Sequence, residues 1–172
     1  MQDLLNRAEH FATWLHAGQV RKYTGEPYIN HPLSVAELVA TVTDDEEMLV
    51  AAVLHDTVED TQATLAGVED IFGPRVAALV KDLTDVSKPE DGNRAVRKAI
   101  DRAHTALASP KAKTIKLADL IDNTATITQH DPEFARVYMQ EMKLLLGVLW
   151  EGDSRLHKTA TSLVNHYFSE IG

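Results

Sequence analysis

The chain has 172 residues, 44% of them hydrophobic, no cysteine and a formal net charge of -9, a size that supports one compact domain, taken as residues 1–172. The missing thiols exclude disulfides, a thiolate zinc site and a cysteine nucleophile, so any metal must sit on His, Asp or Glu. The acidic balance argues against nucleic-acid and anionic-membrane partners, whose affinity comes from basic residues facing phosphates. The start, MQDLLNRAEHFATWL, is not basic followed by apolar, and no run reaches the ~18 apolar residues of a membrane span. The expectation is a soluble, cytoplasmic protein.

Helical periodicity runs through the chain, with no alternating segments bounded by hairpin turns, so the fold class is all-α. A first helix near 3–17 puts Leu4, Leu5, Ala8, Phe11, Ala12 and Leu15 on one face and ends at Gly18. GQVRKYTGEPYIN is a loop. Pro32 fits the first turn of a second helix, LSVAELVATV, which puts His31 at its start. Asp44, Asp45, Glu46 and Glu47 open a third helix, with acids at its positive end, that runs on through MLVAAVLHDTVED.

Gly73-Pro74 separates a short helix ending at Phe72 from PRVAALVKDLTDV, and Pro89 with Gly92 marks an exposed connection before a helix near Arg94. Ser109-Pro110 and Asp131-Pro132 read as cap-plus-proline starts of two more helices. Gly152 closes the segment containing Tyr138 and Leu144 to Leu146, and a last helix covers roughly 154–170.

LHDTVED carries four ionisable residues in six positions, His55 to Asp60. On a helix His55 and Glu59 form one column, Asp56 and Asp60 a second, each aiming two polar groups at one place. The apolar run Leu49, Val50, Ala52, Val53, Leu54 ahead of them implies burial, where unpaired imidazole and carboxylate groups are costly. A divalent cation removes that cost. Asp119, in the apolar IKLADLIDNTATI with Asn123 one turn on, is able to complete a mixed His/Asp set with His31, His55 and Asp56. Two imidazoles and two carboxylates suit Mn, Fe, Zn or similar ions better than Ca or Mg. Such a site favours phosphohydrolase chemistry.

The order GQVRKYTGEPYINHP, LHDTVEDT, FGPRVAALV, KTIKLADLIDN resembles the hydrolase domain of the RelA/SpoT homologues, over roughly residues 1 to 130. The resemblance implies a compact HD-domain helical bundle of about eight to ten helices, like the family's small single-domain alarmone hydrolases. It implies removal of the 3′-pyrophosphate from (p)ppGpp, with (p)ppApp a further substrate, giving GDP or GTP and pyrophosphate, and dependence on Mn(II). Carried over by position, it makes His31, His55, Asp56 and Asp119 the metal ligands and Glu59 with Asp60 the catalytic acids. Glu59 would orient or deprotonate the attacking water, and Asp60 would hold that arrangement or shuttle a proton.

On the nucleotide side the resemblance implies Arg21 and Lys22 as a basic pair and Asn123 and Thr126 as pocket-lining residues. RKYTGEP is one residue longer than the RKSGEP of the long enzymes, which leaves the roles of Tyr23 and Thr24 open. Beyond Asp131 Arg136 and Tyr138 align with the phosphate and base contacts in more than one way. Lys111, Lys113 and Lys116, with Arg94, Arg97 and Lys98 on the preceding helix, supply cations for a locally positive cleft, and Arg97 and Lys116 are the candidates for phosphate contact. Two other readings compete: an HD phosphohydrolase releasing orthophosphate, such as a nucleotide monoesterase or an NADPH 2′-phosphatase, and a non-catalytic module that binds alarmone. The water-activating pair Glu59-Asp60 argues against the latter. The oligomeric state is not set by these patterns.

Overall fold

Helices dominate residues 2–171, the part of the chain that the computed structural model describes, and no strand is found among them. The one sheet-like feature is an antiparallel bridge between Val20 and Pro27. Two compact units divide the chain, the first ending at Thr84 and the second beginning at Asp85. In the first, six helices follow one another: α1 (Gln2–Leu15), α2 (Asn30–Ala40), α3 (Glu46–Leu54), the single turn α4 (Thr57–Asp60), α5 (Leu65–Phe72) and α6 (Pro74–Leu83). The second holds a 3-10 turn (Pro89–Asp91), α7 (Arg94–Ala106), α8 (Pro110–His130), α9 (Pro132–Leu146) and α10 (Ser154–Ile171). The all-α expectation of eight to ten helices is met.

Local chemistry explains the starts. The Asp45 carboxylate accepts from the N–H groups of Glu47 and Met48 at 3.0 and 3.3 Å, Ser109 Oγ accepts from Ala112 at 3.2 Å, and Asp131 Oδ1 accepts from Phe134 at 3.0 Å. Each cap satisfies donors that the first helical turn leaves open. Pro74, Pro110 and Pro132 each occupy a first helical position, where proline's missing N–H costs nothing. Gly18, at φ +81°, provides the left-handed turn after α1.

The first unit is organised on α3, which packs against α1, α2 and α6, while α5 packs on α6. Six of its nine residues are buried, Met48 and Val50 to Leu54, so it has no wet face. Val50, Val53 and Leu54 are fully covered, and each contributes about 1.5–3 kcal/mol of burial. In the second unit α8, α9 and α10 pack on one another around Ile115, Leu117, Met139, Met142 and Leu149.

The third helix is not continuous. It stops at Leu54, and Asp56, at φ -98° and ψ -3°, precedes the separate turn α4. Two side-chain bonds to carbonyls accompany the break. His55 Nδ1 donates to Ala52 O at 2.7 Å and Thr57 Oγ1 donates to Leu54 O at 2.7 Å. Both carbonyls are acceptors that an uninterrupted helix would give to backbone N–H groups four residues on. Helical bonding resumes with Asp60 N–H to Asp56 O at 3.0 Å.

Candidate metal centre

That helix break puts His55 and Asp56 at the end of the most deeply buried helix, and the first turn of α2 brings His31 to them. His31 and His55 are 2% and 3% exposed. Asp56 Oδ2 lies 3.1 Å from His55 Nε2 and 3.6 Å from His31 Nε2, and the ligand atoms of all three residues fall within 4.8 Å of one another. The two imidazoles meet edge to face, centroids 5.3 Å apart.

The donor set fits a divalent cation. A carbonyl only accepts, so the 2.7 Å bond from His55 Nδ1 to Ala52 O fixes the proton on Nδ1 and leaves the Nε2 lone pair facing Asp56. A lone pair and a carboxylate oxygen 3.1 Å apart, in a buried setting, repel unless a positive charge lies between them. Two imidazole nitrogens and a carboxylate oxygen are a transition-metal set.

Around this cluster the first unit places three residues that sequence reasoning passed over. The Tyr28 hydroxyl donates to Asp56 Oδ2 at 2.5 Å. The buried His16 binds the Gln19 side chain through Nδ1 at 2.8 Å, and Gln19 Nε2 donates to the Asp60 carbonyl at 2.9 Å. Their one sequence signal is position: Tyr28 stands three residues before His31, and His16 and Gln19 bracket the turn out of α1.

Glu59 and Asp60, the predicted catalytic acids, are exposed on α4, the turn that follows His55-Asp56. Although much of the Asp60 side chain meets solvent, partial desolvation and then the negative charge of Asp56 push its carboxyl above the usual range. His16, His55 and a hydrogen bond from Tyr28 oppose the rise. The predicted basic pair lies in the α1–α2 loop, where Arg21 N–H donates to Glu26 O at 2.8 Å and Lys22 Nζ stands 5.0 Å over the Tyr23 ring.

Asp119 belongs to the second unit, buried on α8. Lys116 Nζ donates to its Oδ2 at 2.8 Å and Asn123 Nδ2 to its Oδ1 at 2.9 Å. Burial acts to lower the Lys116 pKa, but the charge of Asp119 and this hydrogen bond prevail and raise it. Lys116 and Asn123, predicted to touch substrate, both hydrogen-bond Asp119. Thr126 turns its hydroxyl back to Asn123 O at 3.1 Å. Tyr138 donates to Leu120 O at 3.1 Å, and burial, then the Asp119 charge, raise its phenol's pKa.

The other predicted cations divide. Lys113 is a core residue, 2% exposed, with Nζ on Ala106 O at 3.0 Å and on Glu151 at 2.5 Å, which corrects its placement among cleft-facing lysines: its stem completes the core and both bonds satisfy its charge. Arg94 makes a two-pronged pair with Glu141, at 2.7 and 2.9 Å. With Lys98, Arg102 and Arg136 it lines a groove of about 660 Å³ floored by Ala95, Val137 and Leu144. Arg97 is half-buried, and its Nε has no hydrogen-bond partner among the described residues.

Comparison with known proteins gives this geometry a family. A family model described as an HD domain matches residues 8–145. The chain belongs to the HD-domain family. Within it, a Drosophila melanogaster relative named guanosine-3′,5′-bis(diphosphate) 3′-pyrophosphohydrolase MESH1 is 40% identical over 125 residues, 71% of this chain and 68% of that one. An Aquifex aeolicus protein named guanosine-3′,5′-bis(diphosphate) 3′-pyrophosphohydrolase is 39% identical over 123 residues, 72% of this chain. This HD-domain chain spans only about a fifth of the length of such long relatives, 18% of the Aquifex protein and 17% of a Mycobacterium leprae probable GTP pyrophosphokinase. A solved structure, described as a metazoan ortholog of SpoT that hydrolyzes ppGpp, superposes with a TM-score of 0.87 at 30% identity over 95% of both chains. The resemblance to RelA/SpoT hydrolase domains is borne out. No helix among the described residues is long and apolar enough to cross a membrane.

Proposed function

We propose that this chain hydrolyses the 3′-pyrophosphate of (p)ppGpp, giving GDP or GTP and pyrophosphate, with residues 1–172 acting as one catalytic domain. The observation that carries the reading is the convergence of His31, His55 and Asp56 in an HD-domain chain whose similar relatives carry that activity in their names. Asp119 joins these three as the fourth ligand, on the strength of the sequence resemblance, and Mn(II) is the ion. When bound, the ion polarises a phosphoryl oxygen and eases deprotonation of water.

The chain's own residues do the rest. His31 and His55 offer Nε2 lone pairs, and Ala52 O keeps the His55 tautomer correct. Glu59 accepts the proton of the attacking water, and Asp60, whose carboxyl is raised, holds or passes on a proton. Lys22, Arg21, Asn123, Thr126 and Tyr138 line the nucleoside side, with Lys116 and Arg97 toward the phosphates. The groove cations Arg94, Lys98, Arg102 and Arg136 add positive potential to an acidic protein. (p)ppApp, with the same 3′-pyrophosphate, is also cleaved, and the cytoplasm, where alarmones are made, is the site of action.

The test is to supply the Mn²⁺-loaded protein with ppGpp, ppApp and NADPH separately and to identify the products. Pyrophosphate with GDP is expected from ppGpp. Orthophosphate release without pyrophosphate would replace this reading with a phosphomonoesterase, and no cleavage of any of the three would end the enzymatic one.

A further inference from the structure

Tyr28 is held on every side. Its N–H donates to Gln19 O at 2.9 Å, its ring lies 4.8 Å from that of His16 and 5.9 Å from that of His31, centroid to centroid, and its hydroxyl ends on Asp56 Oδ2. A tyrosine that merely fills a core takes whatever acceptor is near, commonly a backbone carbonyl. This one chooses the same carboxylate oxygen that faces both imidazole Nε2 atoms.

An ionised carboxylate oxygen has lone pairs for two partners at once. With the phenol on one, the other is aimed at the space between His31 and His55, and rotation of the carboxylate is blocked. Hydrogen-bond partners of this kind, one step removed from the metal, fix ligand orientation. Gln19, which carries both His16 and the Asp60 carbonyl, ties the same loop to α4.

We infer that Tyr28 is a positioning residue of the centre: its hydroxyl sets the Asp56 oxygen toward the cation, with His16 and Gln19 bracing the tyrosine from the α1–α2 loop. The inference rests on the metal-dependent reading above. It makes the loop that carries Arg21 and Lys22 part of the metal centre's support as well as a candidate nucleotide contact.

The test uses the full chain stripped of metal, titrated with Mn²⁺ by calorimetry, and then assayed on ppGpp at saturating Mn²⁺. Tyr28→Phe keeps the ring between its two neighbours and removes only the hydroxyl. It is expected to weaken Mn²⁺ binding by about 10-fold and to lower kcat by about 10-fold, with KM for ppGpp within about twofold of wild type. A second variant, Gln19→Met, loosens the brace without touching Asp56. It is expected to weaken Mn²⁺ binding and lower kcat together, each by less than Tyr28→Phe does, so the test stands even if Tyr28→Phe does not fold. Wild-type Mn²⁺ affinity and kcat in Tyr28→Phe, or a loss confined to the melting temperature of the metal-free protein, overturns the inference and leaves the metal reading intact. Failure of the wild type itself to bind Mn²⁺ overturns both.

Discussion

In the first unit the Asp56 carboxylate faces two imidazole Nε2 atoms and a phenol, whereas in the second the Asp119 carboxylate is held by the Lys116 ammonium and the Asn123 amide. Both acids sit at the end or in the middle of apolar helices, where an uncompensated charge is costly. The protein answers that cost locally at Asp119 with a cation of its own. At Asp56 the groups facing the acid include two imidazoles and a phenol, neutral at physiological pH in their ordinary states, an arrangement suited to a cation from outside. The difference separates a carboxylate grouped with imidazoles that could hold a metal ion from one paired with a lysine.

The strongest way to break this comparison is Asp56→Ala. Mn²⁺ affinity and ppGpp cleavage are expected to vanish together, a loss larger than the roughly 10–100-fold that an outer partner costs. Calorimetry and a product assay on one preparation check it, and a variant that still binds Mn²⁺ would move the centre elsewhere. Glu59→Ala comes next: Mn²⁺ binding persists, while kcat falls by roughly 10²- to 10⁴-fold, the usual worth of a general base. Equal loss of metal in both variants contradicts the division of roles between ligand and water-handling acid.

Lys116→Met addresses the other side. It strands Asp119, and the metal-free protein is expected to lose about 2 kcal/mol in denaturant unfolding. That is less than a fully buried pair would give, because the lysine is 25% exposed. The Lys116 pKa is raised in the folded state. Its contribution is therefore full below the ordinary lysine value and lost only as pH rises through the folded value, so the difference from wild type stays flat between about pH 6 and 9. If Asp119 is a ligand, Mn²⁺ restores more stability to this variant than to wild type. An equal Mn²⁺ effect on both detaches Asp119 from the centre.

The smallest effect belongs to Asp101, a buried acid satisfied by neutral donors. Burial pushes its carboxyl up, but hydrogen bonds from Ser87 Oγ and the N–H groups of Ser87 and Val86 prevail and hold it below the usual range. Asp101→Asn is expected to cost about 1 kcal/mol at pH 7, with Mn²⁺ binding unchanged. A depressed carboxyl stabilises above about pH 4 and loses that contribution as pH falls through the folded value. The gap between variant and wild type should therefore close on acidification in urea titrations.

These contrasts also mark what the sequence discloses. Helix starts were legible because Asp45, Ser109-Pro110, Asp131-Pro132 and Gly73-Pro74 act within one turn of themselves. His55, Asp56 and Asp119 stood out as ionisable residues beside or inside apolar runs, and His31 stood at a helix start marked by Pro32. The break after Leu54 was not legible. The local bonds that accompany it, from His55 and Thr57 to the carbonyls of Ala52 and Leu54, are not encoded in periodicity. Lys113, Lys116 and Arg94 all read as cations for a locally positive cleft, because a sequence lists charges without their partners. Folding gave them Glu151, Asp119 and Glu141. Tyr28 and His16 were silent for the converse reason, since an isolated aromatic in a loop carries no pattern.

Gly152 closes the turn between α9 and α10, and a Cβ built on it would lie 2.9 Å from Leu117 Cδ1 and 3.1 Å from the backbone of Lys113 and of Thr114. Bare main chain thus lies against α8 one to two turns before Asp119, with Thr114 Oγ1 accepting the next residue's N–H at 2.9 Å. A side chain there would force Leu117 to move and the backbone of Lys113 and Thr114 to give by a few tenths of an ångström. The close packing of this turn on α8 therefore depends on a residue whose whole contribution is the volume it leaves free.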